Sequence, residues 1–363
     1  MFAAALLAVN ACAPGRLGPA SQERAWPAYL GSAARTSTVQ GTLAADPQPV
    51  WRTVLARGLV GAPALAEDVV AVSQVDGQVA LLARETGDIL WRHRLGAPPG
   101  AGPLLSDDRV FVPTQTEAGS VVALRLNDGN QVWSTRVGDV VAPLTLRGDA
   151  LYAATSTGWI IRLDPSTGQR RWRVRVSGAV RTAPLAVGGG VVVATDADSI
   201  LLLDAESGAV RARRGTAGTP RAALALSGGT IFMGTTTGQI AALDTATLES
   251  QWTREIGSPV VGTIAVRDGR LYALTDHGHL WTLPLSDPAH GTDADLGLVA
   301  RAGPAPAPGG IFVASVEGEV ARVDSAGNRT WSARMRPPIV EPPIPDGTML
   351  FAVSERGVVA AFR

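Results

Sequence analysis

Lysine is missing from this 363-residue chain, so all 32 basic side chains are Arg, and they are balanced by 32 acidic ones. A zero formal charge leaves no broad basic field to hold a phosphate backbone, so nucleic acid is not an expected partner. Cysteine occurs once, at position 12. A single Cys closes no intramolecular disulfide and cannot complete a zinc site that needs two or more thiolates. The four His stand at 93, 277, 279 and 290 and form no H-E-x-x-H pair. His277 and His279 would share one face of a strand, but no third His or Cys lies near them, and no metal is expected. There is no G-x-S-x-G elbow to present a nucleophilic Ser. No apolar run reaches the roughly 18 residues that cross a bilayer. What the chain has in quantity is Gly (41) and Pro (25) between short apolar runs, the signature of short strands and tight turns.

The N-terminus carries a separate signal. FAAALLAV at 2–9 is apolar and is followed by Asn10-Ala11-Cys12, which resembles a bacterial lipoprotein signal ending at the lipidation residue. Residues 1–12 are therefore read as the signal segment, with Cys12 as the lipid-bearing residue. Residues 13–45 begin with APGRLGPASQERA, a Pro, Gly and polar stretch without periodicity, and are read as a flexible tether and lead-in. Trp26 and Tyr29 within it could pin the tether to the body. The implied arrangement is a globular body held beside a membrane by lipid alone.

The body, residues 46–363, repeats itself. The hexamers GQVALL (77), GSVVAL (119), GWIIRL (158), DSILLL (198), GQIAAL (238), GHLWTL (278), GEVARV (318) and GVVAAF (357) start 39 to 42 residues apart. A second marker runs in phase: Trp51, Trp91, Trp133, Trp172, Trp252 and Trp331 are separated by 40, 42, 39, 80 and 79 residues. Two Trp slots are thus filled otherwise, one by Ala212 and one near Thr292 in the irregular stretch SDPAHGTDADLG. Eight copies of about 40 residues read as a ring of repeated sheets, not as a string of independent elements.

Each unit divides into four short strands. In the third, APLTLRGD is an inner strand and turn, LYAATS a second strand, GWIIRL a third, DPSTG a turn and QRRWRVRV the outer strand. Pro63, Pro103, Pro143, Pro184, Pro304 and Pro343 recur beside the first strand, and a residue without an N–H belongs at a sheet edge, here the edge lining a central channel. The last unit ends after its third strand, while PVWRTVL at 49–55 is an outer strand with no unit of its own. The fold expected is therefore an all-β, eight-bladed β-propeller of four-stranded antiparallel blades, with the N-terminal strand completing the last blade. The splice leaves the ring itself without an open end, and the propeller is expected to be monomeric. The Thr or Ser three residues before most hexamers (Thr155, Thr195, Thr235, Thr275, Ser315, Ser354) are read as turn caps.

RLDPSTGQRRW (162–172), ARETGDILW (83–91) and RLNDGNQVW (125–133) resemble the A-L-D-x-x-T-G-x-x-x-W motif of the PQQ-like propeller family. There the Thr-Gly makes a turn and the Trp packs flat between neighbouring blades, so the six Trp are read as blade-locking residues. Two branches of the family imply different functions. Quinoprotein dehydrogenases hold pyrroloquinoline quinone and calcium, with an adjacent Cys-Cys disulfide and ligands on inserted loops. One Cys and evenly spaced units do not match them. The BamB-like outer-membrane protein assembly lipoproteins have eight blades, short loops and a lipidated Cys, which Cys12, the tether and the bare repeat all match. That resemblance implies a non-catalytic scaffold on the periplasmic side of the bacterial outer membrane, without a cofactor. Its partners would be envelope proteins, among them a β-barrel assembly protein met through a loop Arg; Arg181 in GAVRTAPLAV resembles that residue. A ligand- or peptide-sensing propeller is the further alternative.

One face of the ring collects the loops leading into first strands and the turns joining second to third strands. Arg181, Arg221, Arg301 and Glu341 stand in the former, His277 and Glu317 in the latter. These six are the candidate partner-binding residues, because several Arg around a funnel can hold carboxylates by bidentate hydrogen bonds.

Overall fold

A computed structural model describes residues 43–363 except 107 and 261. The expected signal segment, Cys12, Trp26 and Tyr29 lie outside the described residues. Eight four-stranded antiparallel sheets are present, and each is one blade. We number the blades 1 to 8 along the chain and letter the strands a to d from the channel outward. Blade 1 comprises Ala64–Leu65, Val69–Ser73, Gln78–Ala83 and Ile89–Arg94; blade 3 comprises Thr145–Arg147, Ala150–Ala154, Trp159–Leu163 and Arg170–Arg175. Blade 8 takes strands a to c from Ile344–Asp346, Met349–Ser354 and Val358–Phe362, and strand d from Pro49–Val54 at the other end of the chain. The ring closes as the sequence implied. Around that splice Gln48 and Arg363 exchange both backbone hydrogen bonds, at 2.6 and 2.8 Å.

Burial along each strand follows its place in the blade. Middle strands such as Val69–Ser73 and Ala150–Ala154 are buried at every position because neighbouring blades cover both faces. Outer strands such as Ile89–Arg94 and Arg170–Arg175 alternate between half-buried and exposed, since only one face meets a neighbour. The core is consequently distributed around the ring, with one apolar cluster at each junction between blades. At the closure seam, Leu65, Val70, Val72, Ala80 and Leu82 of blade 1 meet Met349, Phe351, Val353, Val359 and Ala361 of blade 8. Pro63, Pro103, Pro184, Pro304 and Pro343 each immediately precede a strand a, and Pro143 stands two residues before one.

The motif that repeats with the blades is one physical contact. At four junctions the Trp of strand d lies over the turn between strands c and d of the next blade and donates its indole N–H to a carbonyl there. Trp51 reaches Arg84 O at 2.8 Å, Trp91 Leu126 O at 2.7 Å, Trp133 Pro165 O at 3.1 Å and Trp172 Ala205 O at 2.9 Å. Beneath each ring sits the Gly of the turn, at positive φ: Gly87 at 73°, Gly129 at 70°, Gly168 at 72° and Gly208 at 73°. A Cβ on these residues would fall 2.5 to 2.9 Å from the indole, so the Trp requires the Gly both for space and for backbone conformation.

The two empty Trp slots are solved differently. Opposite Ala212 the turn of blade 5 carries Leu248 where others carry Gly, at φ 61° and 1% exposed, and its side chain fills the volume the indole would take. In blade 6 the slot falls on Thr292, which pairs with Thr282 of strand c as Trp172 pairs with Arg162; Ala294, two residues on, faces Gly327 of blade 7, whose Cβ would lie 2.6 Å from the Ala methyl. Here a 3₁₀ turn, Pro288–His290, replaces the usual c-to-d turn, and strand d is shortened to Thr292–Asp295.

Trp331 is the most buried of the six, because the closing segment covers it. It donates to Pro47 O at 3.0 Å and meets Phe362 edge-on at 5.4 Å between centroids. Leu43 of the lead-in packs into the same cluster, and Arg322 donates to the carbonyls of Ala44 and Ala45. A second clasp crosses the seam from the other side, where Arg84 of blade 1 pairs with the Asp346 carboxylate of blade 8 and lies over the Phe351 ring. Burial raises the Asp346 pKa against the pull of Arg84.

Candidate functional site

The loops from each strand d to the next strand a turn inward and line the mouth of the channel on one face of the disc. They pack backbone to backbone. Gly61, at φ 69°, leaves no room for a Cβ, which would fall 2.3 Å from Gly102 N; Gly262 meets Gly303 N in the same way. Ala223 N donates to Gly262 O at 3.0 Å, tying neighbouring loops together. This inner collar places the side chains that follow it at the mouth.

A cavity of about 240 Å³ lies there, bounded by the loops of every blade except the seventh. Arg181, Arg221 and Glu341 all line it, although they are spread over three blades. Arg301 is exposed on the loop of blade 7 and lines none of this cavity. Glu317 and His277 stand exposed on turns between strands b and c, and His277 Nδ1 lies 2.7 Å from Asp276. His279, two residues on, faces Asp293 at 3.1 Å. The two His rings thus serve separate carboxylates.

The three converging residues differ in electrostatic state. Arg181 is half satisfied by Asp196, 3.8 Å away. Arg221 has no ion pair among the described residues. Glu341 is set into the wall of the mouth, and burial, reinforced by the nearby charge of Glu355, pushes its pKa up to about 8. At neutral pH its carboxyl therefore holds a proton and can donate a hydrogen bond, so the mouth presents cations and neutral donors in place of a balanced pair of signs. The hydroxyl of Thr182, 8% exposed, lines the same cavity and has no partner among the described residues. Guanidinium, protonated carboxyl and hydroxyl together form a donor set suited to a carboxylate.

Glu355 and Thr182 were not among the residues singled out from the sequence. Thr182 follows Arg181 directly, and that adjacency was the available signal. The turn caps hold where the hydroxyl faces the start of strand c: Thr155 accepts from Trp159 N at 2.9 Å, and Thr235, Thr275 and Ser315 accept from the equivalent N–H at 3.1 to 3.2 Å. Ser354 Oγ has no partner among the described residues.

The sequence profile of the family described as "Outer membrane protein assembly factor BamB" matches residues 35–150, 117–218, 199–294 and 280–363. A curated relative of that description from Burkholderia pseudomallei is 27% identical over 167 residues, 40% of this chain and 44% of that protein. The chain thus aligns with less than half the length of this relative. Among solved structures, BamB from Moraxella catarrhalis superposes with a TM-score of 0.72 at 18% identity, covering 87% of this chain and 97% of that one. The quinohemoprotein alcohol dehydrogenase from Comamonas testosteroni gives 0.79 at 14% identity, covering 94% and 81%. At these identities the structural likenesses carry the propeller fold alone.

Proposed function

Because this chain belongs to the family described as outer membrane protein assembly factor BamB, we propose that it is a non-catalytic scaffold of the cell envelope that docks protein partners during assembly of outer-membrane β-barrels. The observation that carries the reading is the convergence of Arg181, Arg221 and the Glu341 carboxyl on one cavity at the channel mouth. A partner loop bearing a carboxylate would enter it, with Arg221 as the principal anchor and Thr182 and protonated Glu341 donating to the remaining oxygen lone pairs. Arg301, His277 and Glu317 would then contribute at the rim of the contact. Rigid blades hold these groups in place, so little ordering entropy is lost on docking.

In this proposal Cys12 carries the lipid, and residues 13–45 tether the disc to the periplasmic face of the outer membrane. The experiment is affinity capture of the tagged chain from its own envelope, beside Arg181→Glu/Arg221→Glu and Cys12→Ser forms. A co-purifying barrel-assembly protein, lost with the double Arg variant and weakened without the anchor, supports the proposal. A stoichiometric bound quinone with dye-linked alcohol oxidation would overturn it in favour of an enzyme.

A further inference from the structure

Away from the channel, the outer rim opens into a cleft of about 990 Å³ between blades 2 and 3. Its wall on blade 3 is built around Trp159, the first residue of strand c. Arg173 of strand d stacks on the indole with its guanidinium carbon 4.5 Å from the ring centroid, and Arg175 approaches the same ring at 5.8 Å. Arg136 faces them from blade 2, and Arg170 lies farther along the cleft. All four Arg are exposed, and none of their side chains forms an ion pair or hydrogen bond with another described residue.

Three other blades supply an internal control. There the residue at the Trp159 position is satisfied by another polar side chain: Gln239 donates to Glu255 at 2.6 Å in blade 5, His279 meets Asp293 in blade 6, and Glu319 pairs with Arg329 at 3.1 Å in blade 7. In blade 3 that place holds an indole and two cations with no acid. A guanidinium lying on an aromatic face is held in position by the ring while its in-plane N–H forks stay free for an acceptor. Arg173 and Arg175 are two residues apart on one strand, so they point the same way and are spaced like alternate residues of a partner strand. Strand d pairs only with strand c, and its outer edge has free backbone groups.

We propose that this cleft docks an extended acidic segment of a partner protein, one with carboxylates at alternate positions, laid along the free edge of Arg170–Arg175. Main-chain pairing would supply part of the affinity and the stacked Arg the selection for acid. The inner end of the cleft carries Glu117 and Asp139, the latter accepting from Ser156 Oγ, and these acids oppose a uniformly polyanionic surface such as a phospholipid sheet. The chain's own leader is not complementary, since residues 1–42 contain Arg16, Arg24 and Arg35 against Glu23 as their one acid. The cleft shares no residue with the channel mouth, so this proposal stands or falls apart from the docking role given above.

The test uses the full chain and a fluorescein-labelled peptide of alternating Glu and Thr, titrated by anisotropy at low salt, with a Lys–Thr peptide as control. The Glu peptide is expected to bind and the Lys peptide not. Arg173→Glu/Arg175→Glu should weaken binding about tenfold or more, as charge-assisted contacts of this kind require. Arg173→Lys/Arg175→Lys, which keeps charge without the stacked fork, should fall between, and Arg221→Glu at the channel mouth should change nothing. Circular dichroism shows whether these exposed substitutions leave the fold intact. Equal binding to parent and Arg→Glu variant, or none to the parent, overturns the proposal. So does sedimentation with phosphatidylglycerol vesicles that the same variant abolishes while peptide binding is absent.

Discussion

The junction between blades 4 and 5 offers a direct test of why Trp and Gly recur together. At four other junctions an indole covers a Gly turn; here Ala212 faces Leu248, whose buried side chain occupies the indole's place at a backbone conformation that only Gly adopts freely. Leu248→Gly removes a buried Leu, a loss of about 3 kcal/mol, and returns about 1 kcal/mol by relieving the left-handed backbone, for a net cost of about 2 kcal/mol. Ala212→Trp alone drives the new ring into Leu248 and should cost about 2 kcal/mol by overpacking. The double variant rebuilds the contact seen at Trp172 and Gly208, and should lie within about 1 kcal/mol of the parent, a coupling of about 3 kcal/mol. Urea denaturation followed by far-ultraviolet circular dichroism measures all four corners. If the double variant is as unstable as the sum of the singles, or Ala212→Trp is tolerated alone, then Trp and Gly recur for separate reasons and the lock described here is wrong.

Three further outcomes follow from the closure and the channel mouth. Arg84→Ala strands Asp346, 2% exposed at its side chain, and should destabilise by about 3 kcal/mol or more; removing Arg94, which is 67% exposed and 3.6 Å from Asp76, should change the melting temperature little. Trp331→Ala uncovers the closing segment, so the amide of Arg363, bonded to Gln48 O at 2.8 Å, should exchange with deuterium much faster while amides of blade 4 keep their protection. Glu341 has a folded pKa of about 8, above its unfolded value of 4.5. The folded state therefore binds the extra proton between those values, and stability should fall as pH rises through that window. Glu341→Gln should flatten that fall in a pH series of melting temperatures; an unchanged slope would show that the carboxyl is not protonated in the mouth.

How much of this could be read beforehand depended on whether a feature repeats. Strand number, blade count and closure were legible because every blade must bury both faces of its middle strands, and that demand stamps GQVALL-like hexamers onto the chain at fixed spacing. The Trp slots were legible where the turn keeps its length. In blade 6 the 3₁₀ turn changes the shape of that turn but not its length, so Thr292 still pairs with Thr282 as Trp172 pairs with Arg162. Leu248 looked like an unremarkable apolar residue until its φ of 61° placed it on the Gly position.

Sites obey the opposite logic. Arg181 and Glu341 lie 160 positions apart and meet only because the ring returns on itself, so their shared cavity is a property of closure and not of local pattern. The proton on Glu341 follows from burial, which no spacing reveals. Trp159 falls inside a repeated strand-c hexamer, where spacing does not set it apart; its exposed partners Arg173 and Arg175 become unusual only when the Trp159 position in blades 5, 6 and 7 is seen to be satisfied by polar partners. In a ring of eight near-copies the structural residues are those that recur, and a position where one copy abandons the common solution, as blade 3 does around Trp159, is where a contact peculiar to this chain should be sought.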